Sequence, residues 1–413
     1  MKVINILDHP PQQILWEYRS PEEYVKRFPL TDFIKISEYP YWIGFFHGDH
    51  HVLVANEMRK LDFSVKHECW RPYGSCISKV YSKEVDGMWH KVFPFKSFKI
   101  PKLWSVEFSG SIIKALRKET KINNQVVVIV YASHSFFSAW LRIRIHKMGI
   151  PVIVYQLGGY FAKHEKKGLR KIFRNLLYQY QLKALKSTIH HFTVSVPEVA
   201  FLNSIGYRNA TTLLMGFKFE KLQIHTRINA RKALGLPLDK KLVLYAGRFN
   251  EWKGFKYIVD AVEKIRTVRD DVALVAVGGY PTDEYYNYAK GKGVFVFDRV
   301  PEEKLSCFYF GSDVYVMAVY DNNFINFTGY GVTPAQAGFC GLPVISNNII
   351  NFTGSEEECN LLGIRIDNLK ELNREILYVL SNPTKFTPHK VITKYFGIVK
   401  TAQSLLSKCL EII

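Results

Sequence analysis

The sequence predicts an α/β protein made of two doubly wound parallel-sheet domains in succession, on three observations. Its 413 residues exceed what one hydrophobic core usually holds. Short runs rich in Val and Ile alternate with amphipathic helical patterns, as in parallel strands joined by right-handed crossovers. The alternation then restarts after residue 215, which separates a domain over 1–214 from one over 215–394.

In the first series MKVINIL is a β-branched apolar run suited to a buried strand. Residues 8–41 are rich in Pro, Tyr and charge and read as an insertion with one short helix, SPEEYVKRF, whose capping box starts at Ser20. Next, WIGFFHGDHHVLVANEMRKL reads as a glycine loop entering a helix. SVKHECW, KVFPF, a helix over about 105–119, the strand QVVVIVYAS and the helix FFSAWLRIRIHKMG follow. The strand PVIVYQLGG, a basic helix over about 165–187 and HHFTVSVP complete the series. In the second series KLVLYAG, VALVAVGG, VFVFDRV, VYVMAVY and LGIRI are strands, and FKYIVDAVEKIRTV, YYNYAKGKG and EEKLSCFYFG are helices. Ligands of such sheets sit beyond the carboxyl ends of the strands, and a cleft between the domains is the expected site.

Composition narrows the class. With 47% hydrophobic and 23% charged residues the chain is neither disordered nor fibrous. Six cysteines without a C-x-x-C pair, and no signal-like opening segment, lead to the expectation of a reduced cytoplasmic protein. The net charge of +19 is uneven: residues 91–190 hold 19 basic and 3 acidic residues. That excess implies an anionic partner such as a phospholipid surface, a phosphorylated acceptor or a nucleic acid, against the plainer alternative of a soluble basic surface.

Two segments carry the chemistry. In AGRFNEWKGF, residues 246–255, a buried strand ends at Gly247, and Arg248 and Lys253 bracket the turn before a helix. A guanidinium fork and an ammonium point charge at a helix entrance form a receptor for a diphosphate. Taken alone, the same two cations could simply decorate a turn. In TGYGVTPAQAGFCGLPVI, residues 328–345, Gly329 and Gly331 free backbone N–H groups toward an anion, and the helix that follows points its positive end the same way.

In this order, with the F-x-x-V-P and S-D-V-Y-V track between them, these pieces resemble the C-terminal half of family 4 glycosyltransferases of the GT-B fold, which has two Rossmann-like domains. HGDHHVLVANEMRKL, with Gly48, resembles the family's glycine loop facing the donor diphosphate. The segment TTLLMGFKFEKL resembles its interdomain linker, and residues 395–413 its C-terminal helix crossing back to the first domain. The resemblance implies a metal-independent, retaining transfer from a nucleoside-diphosphate sugar, with 1–214 on the acceptor side and no cofactor. It implies donor contacts at Gly48, Gly247, Thr328, Gly329, Tyr330, Gly331 and Gln336, with Arg248 and Lys253 stabilising the leaving diphosphate.

Three positions depart from the family pattern. Thr328 and Gln336 stand where the family has two glutamates, and Gln156 stands where it often has a histidine that contacts the sugar. A hydrogen bond to a charged group contributes ~1.5–3 kcal/mol and a neutral one ~0.5–1.5, so Gln336 forfeits about tenfold in affinity while keeping an acceptor. His134, after QVVVIVYAS, is a candidate stand-in for the missing histidine, or a residue that only caps the next helix. HGDHH lacks the helical i, i+4 pairing of a zinc site, so no metal is expected.

Residues 163–186 hold eight basic residues and one acid, with Leu169, Ile172, Phe173, Leu176 and Leu177 at helical spacing. The plain reading is an amphipathic helix with its apolar stripe in the core. Lys163, Lys166, Lys167, Arg170, Lys171 and Arg174 also suit an anionic lipid surface at about 1 kcal/mol each. Since the family often glycosylates membrane-embedded lipids, the function expected is sugar transfer to a lipid-linked or polysaccharide acceptor. The enzyme would then lie peripherally on the inner face of the cell membrane. A non-catalytic nucleotide-sugar-binding relative, a GT-B enzyme acting on nucleic acid and a nucleotide-sugar epimerase are the alternatives. Nucleic acid is disfavoured because the basic helix lacks aromatic platforms along its length.

Overall fold

The computed structural model describes residues 1–7, 50–72, 79–100, 104–132, 135–157, 169–320 and 329–412. They form two compact units: Met1–Thr193, Val199–Leu213 and Thr401–Ile413 in the first, Val194–Glu198 and Leu214–Lys400 in the second. Among the described residues no helix is long and apolar enough to cross a membrane.

The first unit contains β1 (Lys2–Leu7), β2 (Lys66–Pro72), β3 (Tyr81–Val85), β4 (Met88–Phe93), β5 (Lys96–Ile100), β6 (Trp104–Phe108), β7 (Val126–Ala132), β8 (Val152–Gln156), β9 (His190–Thr193) and β10 (Ala210–Thr212). Its main sheet runs β10-β9-β8-β7-β1-β2-β4-β3. Only the edge strand β3 is antiparallel to its neighbour. Central strands are buried on both faces, which is why they read as continuous apolar runs. Ile4, Ile6, Val128 and Val130 pack with Ile112 and Leu116 of the helix Gly110–Ile122 and Leu141 of the helix Phe136–His146. Each such side chain, wholly buried, contributes about 1.5–3 kcal/mol.

One local expectation fails here, and one hairpin was not foreseen, each for an identifiable reason. The helix expected over 105–119 starts at Gly110 and ends at Ile122, because WSVEF alternates with period two and pairs with β5 as a separate ribbon. The β3–β4 hairpin turns at Asp86 and Gly87, with φ of 50° and 73°. Asp-Gly is the sequence signature of such a turn. The insertion helix SPEEYVKRF lies outside the described residues.

Four charges close the amino-end of this sheet. Lys2 Nζ lies 2.6 Å from both Glu68 and Glu119, and Lys91 Nζ lies 2.8 and 3.1 Å from the same two carboxylates. Burial alone would raise the Glu119 pKa, but hydrogen bonds from Lys2 and Lys91 outweigh it and hold the carboxyl below its ordinary value. Burial likewise pushes Lys2 down, and the two carboxylates more than reverse this. A depressed carboxylate stabilises the fold above its unfolded pKa, and the contribution is lost as pH falls through the folded value. Glu119→Gln leaves Lys2 and Lys91 sharing the single carboxylate of Glu68, and is therefore expected to cost the first unit about 1.5–3 kcal/mol at pH 7, as loss of a charged hydrogen-bond partner does. Calorimetry of both proteins should show the gap closing under acid conditions, where wild-type Glu119 is itself protonated.

The second unit contains β11 (Lys241–Ala246), β12 (Val272–Gly279), β13 (Phe295–Asp298), β14 (Val314–Met317), β15 (Val344–Ser346) and β16 (Gly363–Ile364). All pairings are parallel, in the order β13-β12-β11-β14-β15-β16. The helix Phe255–Arg266 buries Ile258, Val259, Ala261, Val262 and Ile265, a helical spacing that lays one face on the sheet. Chain order runs outward from β11 to β13, then resumes on the other side with β14. The junction of β11 and β14 is thus a topological switch point, where open α/β sheets open a crevice beyond their carboxyl ends.

Candidate active site

The turn that leaves β11 carries Arg248 and Lys253, and its backbone is held at several points. Tyr245, 1% exposed, donates its phenol to the Arg248 carbonyl at 2.6 Å. Burial pushes that phenol's pKa well above the ordinary range, so it remains a donor. Asn250 caps the short 3-10 helix Glu251–Lys253, its side chain accepting from the Lys253 N–H at 3.2 Å. Gly254 then closes the turn at φ 65°, where an added Cβ would lie 1.5 Å from the Ala318 carbonyl oxygen just past β14. The Tyr320 N–H donates to the Trp252 carbonyl at 3.0 Å. The cationic turn therefore rests directly on the backbone that leaves β14.

Trp252 lies between the two cations. The Arg248 guanidinium carbon is 5.9 Å from the indole ring centroid and the Lys253 Nζ 4.9 Å. Cation–π contacts of this kind contribute ~0.5–2 kcal/mol, and here they hold two like charges on one ring. Burial, and then the Arg248 charge, push the Lys253 pKa down to about 8. Such an arrangement favours an incoming anion, which relieves the repulsion and raises the Lys253 pKa again.

On the other side of the switch point, Val319 and Asn347 join the ends of β14 and β15. The Val319 N–H donates to Asn347 Oδ1 at 3.1 Å, and Asn347 Nδ2 donates to the Val319 carbonyl at 2.5 Å. Gly329 has φ 70°, and a Cβ there would lie 2.6 Å from the Val194 carbonyl oxygen. Gly331 is the N-cap of the helix Val332–Phe339, whose first backbone N–H groups lack helical partners and so suit an anion.

The structure places the expected residues unevenly. Gly247, Arg248, Lys253, Gly329 and Gly331 belong to loops at the switch point of the second unit. Tyr330 is 1% exposed, its ring 5.3 Å from Phe396 and 6.2 Å from Phe352. Gln336, 2% exposed, accepts from the Tyr309 hydroxyl at 3.1 Å through its amide oxygen. Gln156 ends β8 in the first unit and is fully buried. Gly48, His134, Thr328, Lys163, Lys166 and Lys167 lie outside the described residues, as does the side chain of Arg170. On the helix Leu169–Leu185, Lys171 is exposed and Arg174 half-buried. Ile172 and Leu176, expected in the core, are 57% and 59% exposed. Among the described residues no group of three or more His, Cys, Asp or Glu side chains could hold a metal ion.

Several residues of the site were not singled out from sequence. Trp252 was visible beside Lys253, but only folding shows that it serves both cations. Tyr245, Asp283, Asn347 and Tyr309 act over 3 to 34 positions, and nothing local marks the first and last of them. Asp283, in the turn-forming stretch Y-P-T-D, carried the one usable signal.

Comparison with known proteins agrees with this geometry. Residues 226–394 match the family model described as Glycosyl transferases group 1. That segment includes Gly247, Arg248, Lys253, Gly329, Gly331 and Gln336. The chain is 33% identical over 129 residues to a D-inositol 3-phosphate glycosyltransferase of Xylanimonas cellulosilytica, covering 29% of each. It is 30% identical over 114 residues to TuaC of Bacillus subtilis, named for teichuronic acid biosynthesis, covering 27% of this chain and 28% of TuaC. The chain thus spans less than a third of these curated relatives. Among solved structures, sucrose-phosphate synthase of Thermosynechococcus elongatus is similar with a TM-score of 0.66 at 16% identity, covering 100% of this chain and 99% of that one. The Anabaena protein HepE in complex with UDP is similar at 0.65 and 12% identity, covering 100% of both. At such identities the likeness shows the fold: two parallel-sheet, Rossmann-like units of the GT-B class.

Proposed function

We propose that this chain is a metal-independent, retaining glycosyltransferase that moves a sugar from a nucleoside-diphosphate sugar to a lipid-linked or polysaccharide acceptor. The observation that carries the reading is the pair Arg248 and Lys253, held on one indole ring at the switch point of a parallel sheet. Sugar transfer from such a donor builds negative charge on the departing diphosphate, and two preorganised cations stabilise that charge most where it is greatest. The Gly331 helix entrance adds backbone donors. The match of residues 226–394 to Glycosyl transferases group 1 and the UDP held by HepE support a nucleoside diphosphate as the leaving group. The replacement of the family's loop glutamates by Thr328 and Gln336 bears on which sugar is held, not on the diphosphate clamp.

On the same reading the enzyme works at the inner face of the cell membrane, with the basic helix as its contact. Exposure of Ile172 and Leu176 beside Lys171 supports this, since apolar and cationic side chains together suit an anionic lipid interface. A panel of nucleoside-diphosphate sugars, assayed for nucleoside diphosphate release, tests the function. One donor should turn over, and salt should weaken binding to anionic liposomes. Absence of both product and thermal stabilisation across the panel would sink the proposal.

The lowered Lys253 pKa gives the site a pH signature. Binding an anion raises the pKa of the ammonium, so UDP affinity should hold steady just below pH 8, where Lys253 is already charged. Above about 8 each binding event must take up a proton, and affinity should fall by up to about tenfold per pH unit. Calorimetric titration with UDP measures this. Lys253→Arg, charged throughout, should flatten the profile.

A further inference from the structure

We infer that Asp283 is a positioning residue for the Arg248 turn, clasping the loops that leave β11 and β12. One carboxylate oxygen, Oδ2, accepts from the Phe249 N–H at 3.2 Å and from the Tyr280 N–H at 3.0 Å. Phe249 directly follows Arg248 and is fully buried, so its N–H depends on a protein acceptor. The loop is built around this ring: Phe249 stacks on Phe255 at 4.2 Å between centroids and lies 6.0 Å from Tyr286. A Cβ on Gly279 would lie 2.3 Å from the Phe249 ring, so the two loops meet with no space for a side chain. Arg248 is thereby fixed from both sides, by Tyr245 at its own carbonyl and by Asp283 at the next amide. The backbone from which the Arg248 side chain departs is thus held in place.

The inference rests on the nucleotide reading of that turn, but one of its consequences needs no ligand. Releasing the clasp opens the turn and wets Lys253, whose pKa is held at about 8 chiefly by burial. Its amine should then titrate at higher pH. Loss of the Asp283 negative charge through direct electrostatics acts in the opposite direction and would lower it, so the sign separates positioning from direct electrostatics.

The test uses the full chain with Asp283→Ala and Asp283→Asn. Acetylation of Lys253 by an activated acetate ester is followed by mass spectrometry against pH, and UDP binding is measured by calorimetry. The alanine variant should raise the acetylation midpoint and weaken UDP by about tenfold or more, as loss of a charged hydrogen-bond acceptor does. Asparagine keeps a neutral acceptor and should fall between the two proteins on both readouts. An unchanged or lowered midpoint overturns the inference, as does unaltered UDP affinity. Should the alanine variant not fold, the asparagine variant decides by the same signs. If wild-type protein binds no nucleoside diphosphate, the nucleotide reading fails while the acetylation midpoint still judges Asp283.

Discussion

Arg248→Ala is expected to lower kcat/KM for the nucleoside-diphosphate sugar by about 10²- to 10³-fold. Removal of one preorganised donor to a developing oxyanion costs ~2.7–4 kcal/mol, and a guanidinium offers two such donors to a diphosphate. The loss should fall mainly on kcat, because the negative charge is greatest as the sugar departs. Arg248 is exposed, so the variant should fold with stability within about 0.5 kcal/mol of wild type. Unchanged melting beside collapsed turnover separates a chemical role from a structural one. The Lys253 pKa should also rise, since Arg248 is the second cause of its depression. A kcat/KM within threefold of wild type would place the diphosphate elsewhere.

The second large effect is expected at Gly254, and Gly235 supplies its control. Both residues have nearly the same left-handed backbone, φ 65° and 64°. An alanine at Gly235 meets nothing within 4 Å and should cost only the conformational penalty of about 1–2 kcal/mol. At Gly254 the new Cβ falls 1.5 Å from the Ala318 carbonyl oxygen, so the turn must lift off β14. Overpacking adds roughly 1–3 kcal/mol or more to the same conformational cost. Gly254→Ala should therefore destabilise the second unit well beyond Gly235→Ala in calorimetry, and it should also abolish UDP binding. Equal costs for the two variants would show that the turn is not seated on β14 as the geometry requires.

Legibility differed between the two units for a physical reason. In the second, EEKLSCFYFG corresponds to the helix Glu302–Gly311 and KLVLYAG to β11. Strands buried on both faces must be apolar throughout, and helices lying on them must repeat near 3.6 residues, so each pattern marks one element. In the first unit the edge strand β3 and the β5–β6 ribbon are short and of mixed composition, with no continuous apolar run to mark them. Ile172 and Leu176 illustrate the opposite error: their helical spacing fitted a core face, yet the fold leaves both on the surface.

Residue patterns along the chain specified the two parallel-sheet units, the restart between them, and the loops in which candidate anion-binding groups would fall. Arg248, Lys253, Gly329 and Gly331 were marked there by residue type and by position after a strand. How those groups are arranged emerged from folding. It set Arg248 and Lys253 on one indole, seated Gly254 against Ala318, turned Gln336 toward Tyr309, and joined two loops through Asp283. Periodicity and turn chemistry are local, so neighbours along the chain express them. The Gln336, Asp283 and Gly254 contacts join residues 27 to 64 positions apart, and their energies exist only once the sheet has brought those residues together.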